Sequence, residues 1–130
     1  MSAISIIKYI YNLLATDEEL NKYVGENIYP LFADDAATFP FVVLHRNTVN
    51  PVYHKLGTSQ DISTVAVAIV ATTYSQSVDI AERVRTILEN HKDDVFSIIR
   101  LQDVSEDFID DAYVQELNFE CIINTHNTKK

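Results

Sequence analysis

Asp61-Ile62-Ser63-Thr64-Val65-Ala66-Val67-Ala68-Ile69-Val70-Ala71-Thr72-Thr73 runs without a break into Tyr74-Ser75-Gln76-Ser77-Val78-Asp79-Ile80-Ala81-Glu82. In the first half, Val65, Val67, Ile69 and Ala71 fall on one face of an extended chain, and Ala66, Ala68, Val70 and Thr72 on the other. Both faces are apolar or small, which predicts a central strand covered on both sides. The period then changes. Ile80, Ala81, Val84, Ile87 and Leu88 make one helical stripe, while Asp79, Glu82, Arg83, Thr86 and Glu89 face water. Ser75 or Ser77 is expected to cap this helix, which runs to about Asn90. Asp79 and Arg83 are expected to pair across one turn.

Phe41 to Val49 reads as a strand preceding this unit. Residues 50–60 contain Asn50, Pro51, Gly57, Thr58 and Ser59 and read as a turn-rich connection. The two strands thus form a wide hairpin with that connection projecting from its end. Downstream, residues 95–104 read as a third strand and Tyr113 to Thr125 as a fourth. In the fourth, Tyr113, Leu117, Phe119, Cys121 and Ile123 point one way, and Val114, Glu116, Asn118, Glu120 and Asn124 the other. One dry and one wet face suit an antiparallel sheet.

At the start of the chain, Ile4, Ile7, Tyr11 and Leu14 sit at helical spacing, with Ile6, Ile10 and Leu13 widening the stripe. Thr16 and Glu19 have the spacing of a capping box for a short second helix, and Gly25 is placed to stop it. The chain then reads as irregular to Pro40, anchored by Ile28, Tyr29 and Leu31. The class is α+β in a single domain, residues 1–130. It has an N-terminal helix and two strand pairs separated by an amphipathic helix, the helices packing on a mostly antiparallel sheet.

A chain of 130 residues buries enough surface to fold alone. Two glycines exclude a Gly-rich phosphate loop. The net charge is −9, and the ten Lys and Arg residues are scattered, adjacent only at Lys129-Lys130. Phosphate neutralisation needs clustered bases, so specific nucleic-acid binding is not expected. No membrane span and no signal peptide is expected: the apolar run from Ile4 to Leu14 is short and interrupted by Lys8 and Asn12.

Cys121 is the only cysteine and sits between Phe119 and Ile123 on the apolar face of its strand. It reads as a packing residue rather than a nucleophile. His45, His54, His91 and His126 lack metal-ligand spacing, and the acidic pairs Asp34-Asp35 and Asp93-Asp94 read as solvated turn residues. No catalytic residue, metal or cofactor is expected. The reading from another class is a small ligand-binding or hydrolase domain using Cys121, a histidine or these acidic pairs, and a third is a monomeric adaptor.

The chain resembles the tail-completion, or tail-terminator, proteins of long-tailed phages over roughly residues 3–125. The resemblance lies in the N-terminal helix, Tyr29-Pro30, Phe39-Pro40-Phe41-Val42-Val43, the long segment carrying Gly57, and the strand entering Thr73-Tyr74-Ser75. It ends with the helix Val78 to Leu88 and its Ala81-Glu82 and Val84-Arg85 pairs. It implies a virion protein made in the bacterial host cytoplasm. It also implies a ring of this chain, a hexamer in the family, that caps the tail tube and joins it to the head connector. The expected partners are therefore further copies of the chain, the tail tube protein and the head connector protein.

Two surfaces are candidates for that work. Arg46, Tyr53, His54, Lys55 and Leu56 mix basic and aromatic side chains in one connection, as interfaces favour. Asp103, Glu106, Asp107, Asp110 and Asp111 belong to a run of seven acids ending at Glu120 with no base among them. In a ring this run suits a lumen or rim that repels passing DNA.

Overall fold

The computed structural model describes residues 2–54 and 57–124, with backbone alone at 54 and 57–59. Three α-helices, α1 (Ile6–Ala15), α2 (Glu18–Val24) and α3 (Tyr74–Leu88), accompany five strands. The strands are β1 (Ile28–Pro30), β2 (Phe41–His54), β3 (Gly57–Ala71), β4 (Phe96–Ile109) and β5 (Ala112–Asn124). They form one sheet in the order β1-β2-β3-β5-β4. Only the β1–β2 pair is parallel. The expected α+β class is the observed one.

β3 lies at the centre of the sheet, as its sequence implies, but helices cover one face only. Val65, Val67, Ile69 and Ala71 are wholly buried, while Ala68 and Val70 on the opposite face stay half-exposed and only Ala66 is buried there. Among the described residues no helix packs on that face. The core forms between the covered face and the helices, with Ile80, Val84, Leu88, Leu117 and Phe119 all buried as expected.

The structure corrects several local readings. In α1 the inward stripe is Ile6, Ile10 and Leu14, continued by Ala3 in the preceding 3-10 turn. Ile4 is 70% exposed and Tyr11 also reaches solvent. Apart from Lys8 and Asn12 the helix is apolar and offers overlapping stripes; the one buried is continuous with Ala3 in the core. The N-cap of α2 is Asp17, whose Oδ2 accepts from Leu20 N at 2.9 Å, not Thr16. Thr16 ends α1 instead, its hydroxyl donating to Asn12 O at 2.7 Å. The N-cap of α3 is Thr73, accepting from Gln76 N at 3.2 Å, so neither Ser75 nor Ser77 caps it, and α3 ends at Leu88. Arg83 reaches across to Asp17 rather than along its own helix to Asp79. Gly25 does stop α2, with φ +57°.

The strands are longer than their sequences suggest. Residues 50–54 and 57–60 are paired, with Asn50 opposite Ile62 and Tyr53 opposite Thr58. The expected connection is thus a two-stranded arm. Residues 105–109 likewise belong to β4, and a two-residue turn, Asp110-Asp111, closes the β4–β5 hairpin. Both turn residues have positive φ, 51° and 61°, which matches the twist of a tight hairpin. Residues 28–30, expected to be irregular, pair with Val42, Val43 and Leu44.

Candidate functional site

The two candidate surfaces sit at different places on the sheet. Tyr53 lies near the end of the β2–β3 arm and is 71% exposed. His54 is the last residue of β2, and Lys55 and Leu56 lie outside the described residues. Arg46 does not join them. It lies before an irregularity in β2, on the helix-covered side, and its Nη1 donates to Ile4 O at 2.7 Å. Seven residues of strand separate it from Tyr53, roughly 23 Å at 3.3 Å per residue.

The acidic run is divided by strand alternation. Asp103 and Asp107 in β4 face the uncovered side of the sheet with Glu116 and Glu120 in β5, around Asn118. Asn118 Nδ2 donates to Asp103 Oδ1 at 2.7 Å. Arg100 faces Glu120 in the same ladder but forms no ion pair among the described residues. Glu106 points to the opposite side. Its Oε1 accepts from Tyr74 OH at 2.8 Å and Gln115 Nε2 at 3.1 Å, pinning the start of α3 to β4. That contact and the nearby carboxylate charge push the Tyr74 hydroxyl up. Asp110 and Asp111 project at the hairpin turn.

Of the remaining candidates, Cys121, Asp93 and Asp34 take structural roles, and His126 lies outside the described residues. Cys121 is fully buried, and burial, reinforced by the charge of Glu120, pushes its thiol up to about 12. A group so protonated is no nucleophile at neutral pH. Asp93 serves a turn, its Oδ1 accepting from Val95 N and Phe96 N at 2.8 Å each. Partial burial works to raise the Asp93 carboxyl. The Phe96 N–H, the His91 ring and the Val95 N–H outweigh burial and hold it below its ordinary value. Asp34 accepts from Ala36 N in an exposed turn. Among the described residues no cluster of His, Cys, Asp and Glu is placed to hold a metal, and no helix is long and apolar enough to cross a membrane.

Sequence reading missed a third surface, a groove between α1 and the β1–β2 pair. Ile7, Lys8, Tyr11, Asn12, Ile28 and Pro30 line a depression of about 510 Å³. It adjoins a second of about 210 Å³ bounded by Ile7, Pro30, Leu31, Leu44 and Arg46. Leu31 and Phe32 stand beside it, 63% and 71% exposed. Leu31, expected to be an anchor, instead has φ +72° and projects outward, its N–H donating to Leu44 O at 2.7 Å. The signal was present in Pro30-Leu31-Phe32, three apolar residues in a turn.

The family model described as tail completion protein gp17 matches residues 8–123. The chain belongs to the tail completion protein gp17 family. It is a phage tail structural protein of virion assembly. The match takes in the arm, the acidic hairpin and most of the groove. A solved chain from the "virion of native gene transfer agent (GTA) particle" has the same fold, with a TM-score of 0.77 over 88% of this chain and 91% of that one. Its sequence is 15% identical, so the likeness is one of fold. No curated protein matches the chain in sequence.

Proposed function

We propose that copies of this tail completion chain form a ring that caps the finished tail tube and joins it to the head connector. Membership of the family over residues 8–123 carries the reading. The mechanism is geometric: one rim of the ring covers the last tube subunit and stops further addition, and the other receives the connector. The chain acts by presenting surface and carries out no reaction. It is made in the host cytoplasm and carried in the virion.

The arm carrying Tyr53 and His54, with Lys55 and Leu56 next in sequence, is the partner-binding element in this reading. An exposed tyrosine on a projecting ladder supports it, since aromatic side chains are favoured in interfaces. The uncovered sheet face with Asp103, Asp107, Glu116 and Glu120 suits a lumen through which DNA passes without adhering. Asp110 and Asp111 extend that acidic surface to a rim.

Tails assembled without this chain are expected to vary in length and to stay free of heads, and adding the purified chain should restore both. Electron micrographs of tails made without it that show uniform length and attached heads would overturn the reading.

A further inference from the structure

We propose that the groove between α1 and the β1–β2 pair receives the β4–β5 hairpin tip of a second copy of this chain, a contact that rests on the ring reading above. The sheet order places groove and tip at opposite edges, β1 at one and β4 at the other. A tip therefore cannot enter its own groove. A contact between unlike surfaces on opposite edges propagates head to tail, and it closes into a ring when the rotation permits.

The two surfaces match in chemistry. The tip presents Ile109, 50% exposed, on the same side as Asp107, with Phe108 on the other side against its own Tyr113, and the groove offers Ile7, Tyr11, Pro30 and Leu31 as apolar lining. The charges also match. Lys22, Arg83 and Arg85 are each paired with an acid, whereas Lys8, Arg46, Lys92 and Arg100 have no ion pair among the described residues. Two of those four bases, Lys8 and Arg46, line the groove. The tip brings Asp107, Asp110 and Asp111, none of them in an ion pair among the described residues. The tip is also pre-shaped by its two-residue turn, and the rim by Leu31 at positive φ. A non-glycine residue held there is a feature the fold retains at some cost, and pre-organised partners lose less freedom on binding.

The full chain carrying Tyr11→Cys and Ile109→Cys tests this, with a short bis-maleimide bridging the new thiols. The buried, protonated Cys121 does not compete. The double variant is treated concentrated in solution and again on assembled tails. Multimers beyond the dimer are expected from it, and only monomer from either single variant. Lys8→Glu/Arg46→Glu should lower the cross-linked yield about tenfold through lost charge steering. Asp110→Asn/Asp111→Asn in the same chain should recover part of that loss, the coupling a direct contact requires. Dimers from Ile109→Cys alone would mean a tip-to-tip contact, and Tyr11→Cys joined to the tube protein would mean a different occupant; either overturns the proposal. So does an absence of multimers from the double variant in both preparations. If that variant gives no multimers yet still caps tails to the correct length, this contact has failed and the capping reading stands.

Discussion

Cys121 and Asp17 show how its surroundings set what a titratable side chain does. Cys121 has no exposed surface and packs in the core between β5 neighbours Phe119 and Ile123. Native protein is expected to react with a thiol reagent only as fast as it unfolds, and Cys121→Ala to cost about 1 kcal/mol for the small void left. Rapid labelling of native protein would return the hydrolase reading to contention. Asp17 does two jobs: it caps α2 through Leu20 N and holds Arg83 through contacts of 2.9 and 2.7 Å. The Arg83 hydrogen bond, against a smaller opposing effect of burial, holds its carboxyl below the ordinary value of 3.8. A lowered carboxyl stabilises the fold above its unfolded pKa, and the contribution fades as pH falls through the folded one. Asp17→Asn keeps a good N-cap while removing the charge. Denaturant titrations should show the variant less stable at pH 7, with the gap closing below about pH 4. A gap constant from pH 7 to pH 3 would show that the ion pair contributes nothing.

Among the elements, α3 shows what periodicity can read. Ile80, Ala81, Val84 and Leu88 repeat at helical spacing above a polar face, so only one orientation buries apolar surface. Leu88→Ala should cost about 2–5 kcal/mol and lower Tm by about 10 °C or more, checked by calorimetry. An unchanged Tm would mean that Leu88 does not bear on the core. β5 was legible for the same reason, its wet and dry faces alternating through Ile123. α1 was not, because Ile4, Ile6, Ile7 and Ile10 offer overlapping stripes, and which of them is buried is settled by tertiary packing rather than by spacing. The arm was hidden by local chemistry: Asn50, Pro51, Gly57 and Ser59 favour turns, yet cross-strand partners hold most of them in a ladder. Likewise, acids from 105 to 109 masked a strand whose register is set by its neighbour β5. The groove was the least legible, since it joins residues of α1, β1 and β2 that no local pattern links.

At the scale of the whole molecule, assembly has to overcome net charge. Each copy carries −9, so copies repel one another over the distance between their centres, about 30 Å for a domain of this size. That repulsion is already weak at 0.15 M salt, where the screening length is about 8 Å. Contacts between a basic groove or arm and an acidic surface act over a few ångströms and survive to higher salt. The two effects separate by range. Sedimentation velocity on the full chain should therefore show the assembled fraction rising from low salt to about 0.15 M as repulsion is screened, then falling toward about 1 M as contact pairs weaken. Tyr53→Ala should lower that fraction at every salt concentration. It should leave monomer stability within about 0.5 kcal/mol, because the side chain is 71% exposed and contributes little to the fold. A fraction rising steadily to 1 M would assign the association to apolar contact alone and remove the charge pairs from it. A Tyr53→Ala chain that assembles as wild type would remove the arm from the interface, leaving it as a connector between β2 and β3.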